Sequence, residues 1–345
     1  MEWEDDRLTT VKALILLMYW EDIPGNGINQ GDWMHWCLSL AKSIGLHREP
    51  DENIMTLRER QIWRRTWWSL YNLMSVTAEG VMSAEEDCTN PAGSDMGMVK
   101  LSDFPFRLLP SQARAAVVDF DILYTIESQK SHAILFIEKT RLCRLSRISH
   151  VSKWVSNVVS GADTAGSNLF ATTSSQLQEE TGDLQQWLDR LPSAARSQYP
   201  FSLTLTERER SMCLHRMWLR VLHLGACYAA CCGERAASNT TGGKMDEYLL
   251  QMADLFDEID SLGLSEQLPC ACTPLIALVL AYHWRLVETG TPDSQKSGAR
   301  VIHRCWNVMQ KLQESSDLAT CMIALVREGQ DTNVWERLSS AMISF

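Results

Sequence analysis

Apolar residues recur every three to four positions through nearly the whole chain, and that spacing admits helices and little else. Trp33, Trp36, Cys37, Leu40, Ala41 and Ile44 form one stripe at i, i+3, i+4, i+7, i+8 and i+11. Trp63, Trp67 and Tyr71 form another at i, i+4 and i+8, with Leu70 and Met74 alongside. Strand-type alternation is scarce. The chain has 345 residues, 45% hydrophobic and 22% charged, enough to bury a real core. The expectation is an all-α, multi-helix array forming one helical unit over residues 1–345.

Start and stop signals divide the pattern. Residues 7–20 are apolar on nearly every side (Leu8, Val11, Leu14, Ile15, Met18, Tyr19) and are expected to be central. Asp32 is placed as the N-cap of the next helix, and Gly45 sits where a left-handed residue ends it. Thr56 and Glu59 match a capping box. "AEEDCTNPAGSDMGMVKLSDFPF" reads as a long irregular link. Helical pattern returns near Ser111 and runs, with breaks, to Val159. "LQQWLDRLP" ends a short helix at Pro192. Further helices are expected near 205–232, 244–262, 272–289, 297–313 and 318–327, with flexible loops over 160–176 and 233–244. No apolar run has the length needed to span a bilayer: the strongest, "VKALILLMYW", stops at "EDIPGNG". No membrane partner is expected.

Charge and cysteine usage narrow the function classes. A net charge of -11 opposes autonomous binding to a phosphate backbone, so no direct nucleic-acid partner is expected. Eleven cysteines, an odd number, lie mostly inside helical stripes, where thiols behave as small hydrophobes. Met1 is followed by Glu2, Glu4, Asp5 and Asp6, the reverse of a secretory signal. A reducing compartment fits, nuclear or cytoplasmic and not secreted.

Candidate chemical sites are few. His223, Cys227 and Cys231 share a helix face, but one straight helix cannot wrap a tetrahedral ion, and a core stripe explains them better. "DLFDEID" (Asp254, Asp257, Glu258, Asp260) resembles a magnesium-binding motif of prenyl-transferring enzymes. It lacks two adjacent aspartates with a third three residues on, and reads better as the wet face of an amphipathic helix. Arg141, Arg144 and Arg147 line one helical edge without any companion DNA-reading signal. No G-x-S-x-G, H-E-x-x-H, P-loop or G-x-G-x-x-G occurs in a fitting context. No catalytic residue, metal or cofactor is therefore assigned.

"WMHWCLSLAKSIGLHREP" followed by "RERQIWRRTWWSLYNL" resembles the fungal transcription-factor regulatory domain, the middle homology region of zinc binuclear cluster regulators. Gly45, Leu46, His47, Arg48, Arg64, Arg65, Trp67, Trp68, Ser69, Leu70 and Tyr71 match in order and spacing. "FIEKTRLCRLSRI", "LQQWLDRLP" and "MWLRVLHLGACY" look like later helices of the cutinase-regulator-like branch. Two departures stand out. Met74-Ser75 and Gly80-Val81-Met82 occupy positions where the family carries Asp-Arg and Gly-Arg-Pro, and no C-x₂-C-x₆-C cluster occurs in this sequence.

The resemblance implies a transcription-regulator-like protein without its own DNA reader. It would work through a protein partner (a transcription factor or co-regulator) or a hydrophobic small-molecule effector. The alternative is a scaffold co-opted as a binder or enzyme in a fungal natural-product pathway. The signature residues from Gly45 to Tyr71 are expected to be structural. Trp68 is expected within cation–π reach of Arg64 and Arg65, at i−4 and i−3.

Overall fold

The computed structural model describes residues 6–18, 30–77, 95–108, 125–146, 150–152, 155, 174–196, 207–235, 242–314 and 316–327. Among them there are helices and no strands, so the chain is all-α. The helices are α1 (Arg7–Leu17), α2 (Gln30–Ser43), α3 (Leu57–Met74), α4 (Ile126–Leu145), α5 (Ser174–Asp189), α6 (Glu207–Arg235), α7 (Gly242–Ser261), α8 (Thr273–Thr289), α9 (Pro292–Lys311) and α10 (Asp317–Arg327). The chain divides into two compact units, Met1–Arg144 and Leu145–Phe345.

In the first unit α1 packs on α2 and α3. α1 is less central than its composition suggests. Val11, Ile15 and Met18 are buried, but Leu16 is 70% exposed and Leu17 40%. A helix with one packed face buries one stripe, whatever the rest of its surface is made of. Asp6 caps it by accepting from the Leu8 and Thr9 N–H groups. Tyr19 and Trp20 lie outside the described residues.

α2 is rotated relative to the expected stripe. Its buried residues are Met34, Cys37, Leu38 and Ala41, whereas Trp36 is 46% exposed, edge-on to Trp33 at 5.2 Å. The two tryptophans satisfy the helical period, but the smaller thiol and methyl groups fit the close contact with α1. The Cys37 thiol points at the Val11 carbonyl, 3.7 Å away. Asp32 sits inside the first turn of α2 rather than at its N-cap. The expected capping box of α3 is present: Thr56 N–H donates to Glu59 at 2.7 Å, and Glu59 N–H donates back to the Thr56 hydroxyl at 3.3 Å.

In the second unit α6 lies between α5 and α7, and α8 packs against α9, α7 and α10. Every residue of α6 from Val221 to Cys232 is buried, as is every residue of α8 from Thr273 to His283. Helices apolar all round need neighbours on all sides. The Cys270–Thr289 stretch is long and apolar enough to cross a membrane, contrary to the sequence expectation, and 67% of it is buried inside the protein. That burial makes it the core helix of its unit. A Cβ at Gly298 of α9 would come within 3.1 Å of the His283 carbonyl oxygen, so glycine sets how closely α8 and α9 approach.

The expected loop over 160–176 falls outside the described residues up to 173, and 174–176 already belong to α5. Of 233–244, residues 233–235 end α6, 242–244 begin α7, and the rest lie outside the described residues. The expected helical residues Val118 and Ile122, and Arg147, also lie outside them.

Candidate functional site

The corner between α2 and α3 is built by a helix end. Gly45 has φ +74°, its N–H donates to the Lys42 carbonyl at 2.9 Å, and the Leu46 N–H donates to the Ala41 carbonyl at 2.8 Å. This is the Schellman pattern, with Leu46 as the apolar residue that folds back into the core, fully buried. Gly263 and Leu264 repeat the device at the end of α7, with φ +66° and a buried Leu264. Nothing lies within 4 Å of the place a Cβ on Gly45 would occupy, so Gly45→Ala tests backbone conformation alone. It should cost about 1 kcal/mol, because an L side chain disfavours positive φ. Chemical denaturation reads this, and an unchanged midpoint would refute it.

The next residues turn the corner into a clasp. His47 tilts against the Trp67 ring at 6.1 Å. The Arg48 carbonyl accepts the Trp63 indole N–H at 3.3 Å. The Glu49 carboxylate accepts from Arg64 and, at 2.7 Å, from the Gly97 N–H. The Glu49 N–H donates to Asp95 at 3.0 Å. Arg64 reaches the other way to Asp103 at 3.3 Å, and Asp103 also accepts the Lys100 N–H at 2.8 Å. Gln61 donates to the Ser102 carbonyl at 2.7 Å, and the Trp68 indole donates to the Gly97 carbonyl at 3.0 Å. One side of α3 thus stitches residues 95–104 to the corner.

Electrostatics agree with that role. Burial pushes the Glu49 carboxyl up, but the Arg64 hydrogen bond and the Gly97 N–H outweigh it, and the net shift is downward. The hydrogen bond to Glu49 raises Arg64, with Asp103 adding to the effect. Burial lowers Arg65, whose guanidinium lies 5.7 Å from the Phe104 ring centre and donates to the Gln61 carbonyl.

The signature residues therefore have distinct tasks. Leu46, Trp67, Trp68 and Tyr71 fill the core, and Gly45, Arg64, Arg65 and His47 shape or tie the corner. One expectation is corrected. The cation over Trp68 is Arg144 at 5.8 Å, not Arg64 or Arg65. Arg64 is held by two carboxylates, Arg65 by Phe104, and Trp68 is turned inward to 3% exposure beside α4. Glu49, Asp95 and Gly97 escaped the sequence reading, because partners so far apart in the chain leave no local pattern.

Beside the clasp, Leu57, Arg58, Gln61, Pro105 and Arg107 line a half-open cleft of about 500 Å³. Neither Arg58 nor Arg107 has a carboxylate partner among the described residues. Arg107 is held by its main chain: Gln129 accepts its N–H at 3.0 Å and donates to its carbonyl at 2.8 Å.

The second unit holds the other candidates. The His223 ring stacks on Trp187 at 5.4 Å. Arg220 lies 3.0 Å from Nδ1, and Nε2 lies 3.3 Å from the Leu184 carbonyl. A single neutral tautomer satisfies both, accepting from arginine at Nδ1 and donating from Nε2. Burial, and then Arg220, lower its pKa to about 4, and burial pushes the Cys227 thiol up to about 12. A neutral, fully hydrogen-bonded imidazole beside a protonated thiol joins α5 to α6. Among the described residues no His, Cys, Asp and Glu cluster has metal-site geometry.

That burial has a pH signature. The unfolded imidazole titrates near 6.5 and the folded one near 4, so the unfolded state binds more protons between those values. Stability is complete above pH 6.5 and falls as the pH drops through the window, by about 3 kcal/mol for this group. Burial lowers His283 in the same unit, in the same sense. Urea titrations at pH 7 and pH 4.5 should separate accordingly, and His223→Gln should shrink the separation. A separation unchanged in that variant would contradict it.

The aspartates of "DLFDEID" are struts. Asp257 pairs with Arg304, and Asp260 with Lys311 at 2.7 Å and Ser265 at 2.6 Å, tying α7 to α9. Leu255, Phe256 and Ile259 form the buried side.

Comparison with known proteins places the corner. Residues 2–73 match the fungal specific transcription factor domain. The chain is 23% identical to cutinase transcription factor 1 beta of Fusarium vanettenii, covering 92% of this chain and 39% of that protein. Cutinase transcription factor 1 alpha of the same fungus is 31% identical over 70 residues, 20% of this chain and 8% of that protein. The acetamidase regulatory protein of Aspergillus fumigatus is 29% identical over 29% of this chain and 13% of its own. The chain thus spans well under half the length of these relatives. No solved structure matches it significantly. The matched segment takes in α1, α2, the Gly45 corner and nearly all of α3, and over it this chain is similar to the fungal specific transcription factor domain.

Proposed function

We propose that this chain is a transcription-regulator-like protein acting in the nucleus through a protein partner or a small-molecule effector rather than by reading DNA itself. The observation that carries this reading is the 23% identity to one named transcription factor over 92% of this chain. The net charge of -11 speaks against phosphate contacts, and the sequence contains no C-x₂-C-x₆-C cluster. An effector would act by binding one packing of the helices more tightly than another.

Fusing the chain to a heterologous DNA-binding module upstream of a reporter tests the regulatory role. Altered reporter output is expected, and output equal to that of the module alone would refute it. A gel shift tests the rest: no salt-sensitive DNA affinity is expected at micromolar protein.

A further inference from the structure

We infer that the cleft lined by Leu57, Arg58, Gln61, Pro105 and Arg107 docks an acidic, leucine-bearing peptide segment of a partner protein. The inference deepens the regulatory reading and rests on it only in taking the partner to be a protein.

The described carboxylates around the first turns of α3 are already engaged. Glu52 pairs with Arg60, and Glu59 is closed into the capping box with Thr56. Asp51 accepts from Asn53, while Glu49 and Asp103 hold Arg64. Among the described residues Arg58 and Arg107, which both line the cleft, have no carboxylate partner. A guanidinium offers a planar fork that matches a carboxylate with two hydrogen bonds. Two such forks in a chain of net charge -11 mark a local site for negative charge.

Apolar exposure is concentrated beside them. Leu57 in the cleft is 62% exposed, Ile54 on the preceding turn 80%, and Leu108, next to Arg107, 50%. Single exposed aliphatics are ordinary. Here Leu57 and Leu108 lie next in sequence to Arg58 and Arg107, and Leu57 and Pro105 supply the apolar lining. The combination asks for a ligand that alternates carboxylates with branched aliphatic groups.

The shape selects a peptide over a small molecule. Small-ligand sites close round most of their ligand, whereas this cleft is half open. It is also pre-formed. Gln129 fixes the Arg107 main chain from both sides, Gln61 is tied to the Ser102 carbonyl, and the capping box fixes the start of α3. A rigid receptor loses little entropy when a peptide docks. The chain's overall negative charge repels such a peptide at a distance. At physiological salt that repulsion is screened beyond about 8 Å, while contact pairs persist.

The test uses the full chain and a fluorescein-labelled peptide alternating glutamate, aspartate and leucine, read by anisotropy. Saturable binding is expected. Arg58→Glu with Arg107→Glu should weaken it by about tenfold or more, since each side of a charge pair is reversed. Arg300→Glu, an exposed arginine on α9, should leave it unchanged. Replacing the peptide's acids by their amides, or its leucines by serine, should each abolish saturation. Circular dichroism verifies that the variants fold. Equal weakening by Arg300→Glu would reduce the effect to general charge and overturn the site. Binding to phosphatidylserine vesicles but not to the peptide would overturn it in favour of a membrane. An inert reporter fusion with intact peptide binding would instead fault the regulatory reading and leave the cleft standing.

Discussion

Arg64→Leu should destabilise the first unit by about 3 kcal/mol, because removing one partner of a buried ion pair strands the other. Asp103 is the stranded group. Its side chain is 4% exposed, and once the guanidinium is gone it keeps the Lys100 N–H and only the more distant charge of Arg65. Glu49 loses the same cation but is 35% exposed, so water offsets much of that loss. Arg64→Lys should recover little, since an ammonium cannot span two carboxylates in two directions. Asp103→Asn in the Arg64→Leu background should restore part of the stability, because it removes the buried charge. Urea unfolding followed by tryptophan fluorescence measures all three. A loss under about 0.5 kcal/mol, typical of a surface ion pair, would show that the clasp is not buried in solution.

Phe256→Ala should cost about 3–5 kcal/mol in the second unit, since it opens a cavity at a fully buried position. Asp257→Asn and Asp260→Asn should each cost less than about 1 kcal/mol, because their ion pairs lie near the surface. The contrast separates two readings of "DLFDEID". In a core-and-strut helix the phenylalanine dominates. In a magnesium site the aspartates would be mutually repelling, and neutralising them without metal would stabilise the fold. A rise in stability for either aspartate variant, reversed by magnesium, would sink the structural reading. Thermal unfolding with and without magnesium decides it.

Local signals were legible in the sequence where a helix begins or ends. The Thr56–Glu59 box needs residues only three apart, and Gly45 marks its own backbone conformation. The helices from α6 to α10 likewise follow from periodicity, since an apolar stripe needs no knowledge of its partner. Which way a stripe faces was not legible. Trp36 belongs to the periodic set of α2 and is exposed, while Met34 and Leu38 point inward. Periodicity allows neighbouring stripes a few tens of degrees apart, and the packing of α1 on α2 chooses between them.

Sequence by itself determined the helical class, the Gly45 corner and the likeness to fungal regulators, because each rests on neighbours a few residues apart. Tertiary structure alone decided which charges are spent. Arg58, Arg64 and Arg65 look alike in "RERQIWRR". Folding gives Arg64 to Glu49 and Asp103, sets Arg65 on Phe104, and leaves Arg58 facing a cleft with Arg107. The partners lie up to several tens of residues away, and an ion pair or a ring contact is a matter of distance in space, which spacing along the chain does not encode.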